Sequence, residues 1–305
     1  MFAGLLLVIA TGLTWASISA VMSNVARCRV PTFLFYSIGA TLTAILGWIL
    51  LVDWQAAARL PLRELLIAAP LFMLPGLVNV ASQTVMVQSL KLGHNGLSIA
   101  IRNCAGIVPF TVGLLFLNAT VRWFNWIGLL LITVGLILIA LSKKSSGNRT
   151  SKTVFTLKWL IAAAGSMLLS GTFQTLNMLS TVKFNTIVKI GMATPLVMTC
   201  CALGYIAAFL IWQRKSLAGG SFTGAVWRYA GVWAVLALLS YYFMFAAIDA
   251  MRAANATALV FPTVMGINIS CFSVYSKIKL HEKYTALNIG CLVLCLLGVI
   301  LLNLR

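Results

Sequence analysis

Residues 95–109 read NGLSIAIRNCAGIVP, an apolar run that carries an arginine, an amide and a glycine near its middle. A second stretch, residues 255–269, reads NATALVFPTVMGINI and aligns with the first without a gap. The alignment pairs Asn95 with Asn255, Gly106 with Gly266, and Arg102 with Pro262. Because few apolar helices tolerate such residues, two copies of this pattern predict an internal duplication of the chain.

The composition is that of an integral membrane protein. Of the 305 residues 61% are hydrophobic and only 9% are charged, and the mean hydropathy is +1.02; soluble domains are far more polar. The formal net charge of +18 does not indicate a nucleic-acid partner. The basic residues stand at the ends of apolar runs, where they meet anionic lipid, so the partner they indicate is the bilayer.

Ten apolar segments are long enough to cross a membrane as helices. They cover residues 2–23, 31–52, 63–90, 95–118, 122–141, 158–180, 185–212, 226–250, 254–276 and 284–303. Their continuous apolar character excludes a membrane β-barrel, whose strands alternate in polarity. We therefore expect an all-α fold with five spans in residues 1–141, a polar, basic linker in residues 142–157, and five spans in residues 158–305.

The odd number of spans in each half sets the symmetry of the predicted fold. A second copy of five spans enters the membrane from the opposite side, so the duplication yields an inverted repeat. Lys and Arg are concentrated in the loops after odd-numbered spans. This bias predicts a cytoplasmic linker and both termini outside, in the inner or plasma membrane if the source is bacterial.

The end of the chain carries a more specific pattern. It consists of ALVFPT at residues 258–263, LHEK at residues 280–283, Ile289-Gly290, and LGVILL at residues 297–302. With the ten-span pattern, these motifs resemble the EamA-like branch of the drug/metabolite transporter superfamily. The first half matches only in part, because it has no counterpart of Glu282. The resemblance implies a metabolite permease or exporter that works by alternating access.

Arg102 is the strongest candidate for a functional residue. A charged side chain inside a span is costly and normally faces a cavity or a partner. A guanidinium donates a planar fork of hydrogen bonds that suits a carboxylate or phosphate group. The alternative is that Arg102 snorkels to the interface or bonds to backbone carbonyls.

Further polar and aromatic residues in the spans are expected to converge with Arg102 on one substrate cavity. They are Trp15, Asn79, Gln83, Asn103, Gln174, Asn177, Tyr241, Tyr242 and Asn268. Asn79 and Gln83 are four residues apart, on one face of a helix that Pro70 and Pro75 kink. For each amide the alternative is a hydrogen bond between helices, and for Trp15 ordinary packing.

Two ionisable residues are candidates for coupling to a proton. Asp249 lies near the end of the eighth span, where we expect an ion pair with Arg252 and a proton carrier is the alternative. His94 has an imidazole suited to a switch near neutral pH, although a position beside a turn favours a surface role.

No motif of an enzyme, metal site or cofactor site is present in the sequence. It has no phosphate-binding GxxxxGK[ST] loop, HExxH pair, nucleophile elbow or cluster of carboxylates. The expected function is secondary transport of a small polar metabolite that bears a carboxylate, such as an amino acid, with a proton or counter-substrate as partner. The alternatives are a permease for uncharged sugars or nucleosides, a multidrug exporter, and a membrane enzyme or scaffold without transport activity.

Overall fold

The computed structural model describes residues 2–27, 31–92, 101–117, 121–145, 157–214, 224–279 and 286–303. The α-helices are α1 (Phe2–Arg27), α2 (Thr32–Leu50), α3 (Trp54–Ala58), α4 (Leu62–Leu92), α5 (Ile107–Phe116), α6 (Trp123–Ser145), α7 (Leu157–Lys183), α8 (Asn185–Lys189), α9 (Ala193–Trp212), α10 (Gly224–Arg252), α11 (Val260–Lys279) and α12 (Ala286–Asn303). Short 3-10 turns, Cys104–Gly106 and Thr257–Leu259, precede α5 and α11. These residues contain no β-strand, so the predicted all-α class is confirmed for them.

Six helices in the described residues are long and apolar enough to cross a membrane. They are α1, α2, α4, α7, α9 and α10. Three further apolar helical segments are shorter: Ile101–Phe116, Trp123–Gly135 and Thr257–Phe272. The fold is therefore that of a multi-pass membrane protein by length and composition, whereas ten spans remain a prediction.

The distribution of side chains is inverted relative to a water-soluble protein. Large apolar side chains such as Phe2 and Phe116 are more than 70% exposed, at 76% and 73%. Polar side chains such as Thr11, Ser166 and Asn177 are fully buried at 0%. Lipid replaces water as the solvent for such a surface, so the apolar side chains lie outside and hydrogen-bonding groups lie between helices.

The predicted seventh span, residues 185–212, is wrong as a single helix. The short helix α8 ends at Lys189 and α9 begins at Ala193. Gly191 between them has φ +78°, and a Cβ there would clash with the backbone O of Leu51. The backbone N of Asp53 also donates to Ile190 O at 3.0 Å. This close approach of the loop after α2 breaks the helix, and only a glycine permits it.

The predicted linker begins later than expected, because α6 continues to Ser145. Residues 146–156 lie outside the described residues, as do His94, Asn95 and Glu282. The predictions on those residues stay predictions.

The chain divides into two compact units. Unit 1 comprises Met1–Val80 and Leu176–Ala250, and unit 2 comprises Ala81–Thr175 and Met251–Arg305. Each unit draws on both halves of the sequence. Within unit 1, α2 packs along α9, where a Cβ on Gly47 would lie 3.2 Å from Pro195 Cβ. Within unit 2, α6 packs along α12, where a Cβ on Gly298 would lie 2.6 Å from Gly128 O.

Candidate binding site

Arg102 lies in unit 2, in the helical residues that precede the 3-10 turn Cys104–Gly106, and its side chain is partly buried. Its Nη1 donates a hydrogen bond to Gln83 Oε1 of α4 at 2.9 Å. Because a neutral amide oxygen accepts this bond, the contact orients the guanidinium and adds no opposite charge to it.

The backbone around Arg102 departs from a regular α-helix for a local reason. Pro109 has no N–H, so Ala105 O cannot accept the usual helical hydrogen bond. α7 comes close at this point, because Gly171 has no side chain: a Cβ there would lie 3.0 Å from Ala105 O and 2.5 Å from Val108 Cγ2. This contact with α7 holds the segment that carries Arg102.

The two aligned sequence copies meet in unit 2. A Cβ on Gly106 would lie 3.3 Å from Pro262 N, and a Cβ on Gly113 would lie 2.7 Å from Ala258 Cβ. Glycines of the first copy therefore pack directly on the backbone of the second, the close approach that small residues allow between membrane helices. Each copy also contains a 3-10 turn, at different positions of the alignment: Cys104–Gly106 in the first and Thr257–Leu259 in the second.

A small, open pocket lies at this contact, and its walls are mostly apolar. Its lining residues are Asn103, Cys104, Gly106, Ile107, Leu129, Ile132, Thr133, Pro262 and Met265. Asn103 is thus turned toward the second copy, whereas Arg102 bonds to α4. Asn268 of α11 is buried three residues beyond Met265.

Gln174 of α7 belongs to the same unit and is 1% exposed. In the part of the chain that the structure describes, its Oε1 has no hydrogen-bond partner. Nearby on α7, Ser166 O accepts a hydrogen bond from Ser82 Oγ of α4 at 3.2 Å, which ties the two helices together. Gln174 therefore retains an acceptor for a ligand or water.

Unit 1 contains the aromatic candidates. Trp15 Nε1 donates to Ser240 Oγ of α10 at 2.6 Å. Tyr241 packs on Phe245 with ring centroids 6.1 Å apart. Tyr242 is 51% exposed, so its ring lies on the surface and not between helices.

Two of the predicted amides, Asn79 and Asn177, also lie in unit 1. Asn79 Nδ2 of α4 contacts Cys201 Sγ of α9 at 3.7 Å, so it does not share a partner with Gln83. Asn177 of α7 is fully buried, and neither its Oδ1 nor its Nδ2 has a hydrogen-bond partner among the described residues.

Asp249 does not form the predicted ion pair with Arg252. Its Oδ1 accepts a hydrogen bond from Asn185 Nδ2 at 2.6 Å instead, and Arg252 is exposed. A carboxylate in the last turn of a helix is unfavourable because the carbonyl ends of the peptide dipoles are there. The Asn185 amide offsets this, and it ties α8 to α10.

Sequence reasoning missed two polar residues with structural roles. Asp53 Oδ1 accepts from the backbone N of Gln55 and of Ala56 at 3.1 and 3.0 Å, and so caps α3. Asn125 links α6 to α12, since its Nδ2 donates to Leu301 O at 3.2 Å. An acid before a short helix signals the first contact, but no local pattern signals the second.

The candidate residues divide between the units. Unit 1 holds Trp15, Asn79, Asn177, Tyr241, Tyr242 and Asp249, and unit 2 holds Gln83, Arg102, Asn103, Gln174 and Asn268. Their convergence on a single cavity stays a prediction. The described residues contain no group of three or more His, Cys, Asp or Glu side chains that could hold a metal ion.

Comparison with known proteins defines the fold alone. No family model and no curated protein matches the sequence. Twenty-six solved chains match the structure. One of them, described only as a crystal structure of protein, matches with a TM-score of 0.73 and 12% sequence identity over 99% of this chain and 97% of that chain. The chain therefore shares its fold, over nearly its whole length, with a solved structure that carries no functional description.

Proposed function

We propose that this chain is a secondary transporter of the drug/metabolite transporter type, with ten spans arranged as two inverted five-helix repeats. It moves a small polar metabolite that bears a carboxylate, such as an amino acid, by alternating access. The observation that carries this proposal is the Arg102 guanidinium, partly buried in an apolar helical segment and oriented by Gln83 Oε1 at 2.9 Å. Charged groups in such segments mark substrate or ion pathways.

The chemistry of Arg102 favours an anionic group as its ligand. A carboxylate accepts two parallel hydrogen bonds from a guanidinium and also compensates its charge, which Gln83 does not. In a medium of low dielectric the carboxylate therefore binds in preference to an amide or hydroxyl group. A cationic substrate is disfavoured at the same position by charge repulsion.

A permease for uncharged sugars or nucleosides is the second candidate. The observation that favours it is the buried Oε1 of Gln174, which lies in the same unit as Arg102 and has no partner among the described residues. A substrate hydroxyl would satisfy that oxygen. The ammonium group of an amino acid would satisfy it as well, so Gln174 does not separate the two substrate classes by itself.

Counterflow in proteoliposomes tests the proposed function. Vesicles loaded with one unlabelled amino acid or carboxylic acid at a time would be diluted into the labelled compound, and a panel of sugars and nucleosides would be run in parallel. We expect accumulation of at least one carboxylate and loss of that accumulation in Arg102→Ala. Arg252→Ala, which removes an exposed arginine, is the matched control. Absence of flux for every solute would instead favour a membrane enzyme or scaffold.

A further inference from the structure

A backbone oxygen inside α4 lacks its usual helical partner. Pro75 lies inside α4 and has no N–H, so it cannot donate to Leu71 O four residues earlier. Ser180 Oγ of α7 donates to that oxygen at 3.0 Å. Because a carbonyl oxygen has two lone pairs, Leu71 O can accept this bond and still bind a second group.

Asn177 lies beside this pair on α7. It precedes Ser180 by three residues, so the two side chains share one face of the helix with a rise of about 4.5 Å between them. Side chains of a helix lean toward its N-terminus, which places Ser180 Oγ over the turn that contains Asn177. All three residues belong to unit 1.

The Asn177 side chain makes no hydrogen bond to any residue that the structure describes. The side chain is 0% exposed, and neither Oδ1 nor Nδ2 has a partner among the residues the structure describes. A buried amide without partners is unfavourable, so such a group indicates a ligand, an ion or a water molecule. A ligand here must be small, because the side chain is fully enclosed.

We propose that Asn177 Oδ1, Ser180 Oγ and Leu71 O form a binding site for a small monovalent cation, with Na⁺ as the probe. Backbone carbonyl oxygens of discontinuous membrane helices coordinate Na⁺ in secondary transporters; α4 is continuous, and here Pro75 alone leaves Leu71 O without its helical partner. A ring of such oxygens replaces the hydration shell of the ion. Water molecules complete the shell and accept the hydrogen bonds that Asn177 Nδ2 donates.

The three proposed ligand oxygens are uncharged, and this decides whether the site favours a monovalent or a divalent ion. The acidic residues that the structure describes lie elsewhere: Asp53 caps α3 and Asp249 bonds to Asn185. Glu64 stands in the first turn of α4, seven residues and about 10 Å along the helix from Leu71. A divalent ion normally requires carboxylate ligands, so three neutral oxygens favour a monovalent one.

A cation at this site would couple transport to an ion gradient, a role that rests on the proposed transport function. A bound Na⁺ would compensate the charge of a carboxylate substrate during the same transport cycle. Binding of the ion itself does not depend on that function, because the three oxygens belong to the resting protein.

Thermal unfolding of the purified protein in detergent tests the site without a substrate. The Tm would be measured in NaCl and in choline chloride at equal ionic strength. Since a ligand stabilises the state that binds it, we expect NaCl to raise the Tm by about 2 °C or more. Ser180→Ala and Asn177→Leu should lose this difference, the second without leaving a cavity. Thr181→Ala should retain it, because the hydrogen bond of Thr181 Oγ1 goes to the backbone Asn177 O of its own helix, at 2.7 Å, and not to the proposed oxygens.

The outcomes separate this site from the proposed function. Equal Tm values of the wild type in the two salts, or an equal Na⁺ response in all variants, would overturn the cation site and leave water as the partner of Asn177. Either result leaves a positive counterflow experiment intact. A Na⁺ response that Asn177→Leu and Ser180→Ala abolish would support the site even if no solute showed flux.

Discussion

The two copies of the aligned stretch are both helical in their described residues but differ in the chemistry they carry. Both form short apolar helical segments, Ile101–Phe116 and Thr257–Phe272, and each contains a 3-10 turn. They touch where Gly106 meets Pro262. The first copy has Arg102 where the second has Pro262, and Val108 where the second has Asn268. Of the two aligned stretches, only the first therefore carries an arginine, and it lies four residues before the glycine that contacts the second.

Removing the arginine makes the first copy as neutral as the second. In Arg102→Ala we expect counterflow of the carboxylate substrate to fall about 30-fold or more, because losing a hydrogen-bonded charge from a buried contact costs about 2 kcal/mol or more. Arg102→Lys should retain part of the activity, since it keeps the charge but not the planar fork. Unchanged carboxylate flux in Arg102→Ala would remove Arg102 from the site.

Adding one methyl group tests the contact between the copies. In Gly113→Ala the new Cβ would lie 2.7 Å from Ala258 Cβ and 3.0 Å from Ala258 Cα. Overpacking of this kind costs about 1–3 kcal/mol, so the Tm should fall. The double variant with Ala258→Gly should recover part of the loss. Gly231→Ala is the control, because nothing lies within 4 Å of a Cβ at Gly231; a Tm loss equal to that of Gly113→Ala would argue against the contact.

Placing a carboxylate at position 83, beside Arg102, tests whether Arg102 binds the substrate through the charge of its carboxylate. Gln83→Glu places an acid at the position whose Oε1 now accepts from Arg102 at 2.9 Å. The internal ion pair should compete with the substrate and reduce carboxylate flux about tenfold, or about 1.4 kcal/mol, while the Tm is maintained. Gln83→Leu removes the partner without adding charge and should reduce flux less. A Gln83→Glu variant with higher carboxylate flux than Gln83→Leu would contradict this.

The smallest effect is expected from making the second copy resemble the first. Asn268→Val installs the residue found at position 108 and removes a buried amide from α11. Hydrogen bonds between membrane helices contribute about 0.6 kcal/mol on average. The Tm should therefore fall only slightly and carboxylate flux should remain. Complete loss of flux would instead place Asn268 in the substrate site.

The sequence was sufficient for features that depend on local pattern. Continuous apolar runs predicted the helices, whereas the 3-10 turn Cys104–Gly106 just after Arg102 was not predicted. It was insufficient where a distant part of the chain decides the outcome. The break before α9 depends on Gly191 packing against Leu51, and the partner of Asp249 is Asn185, not the arginine three residues away. Neither contact leaves a periodic signal in the sequence.

The pairing of Arg102 with Gln83 shows the same limit. Their positions on α4 and on the segment before α5 were predictable, but their hydrogen bond depends on how those two elements pack. The spacing of Asn79 and Gln83 predicted a shared face of α4, yet the two amides bond to different elements, Cys201 and Arg102. A spacing of four residues fixes a face of a helix and does not fix its neighbours.

The most direct test of the central claim is equilibrium binding of a matched pair of ligands. The carboxylic acid identified by counterflow and its primary amide would be titrated against wild type and Arg102→Ala. We predict that the wild type binds the acid at least about tenfold more tightly than the amide, or about 1.4 kcal/mol, and that Arg102→Ala binds both with similar Kd. Equal discrimination by the two proteins would show that Arg102 is not the contact for the carboxylate.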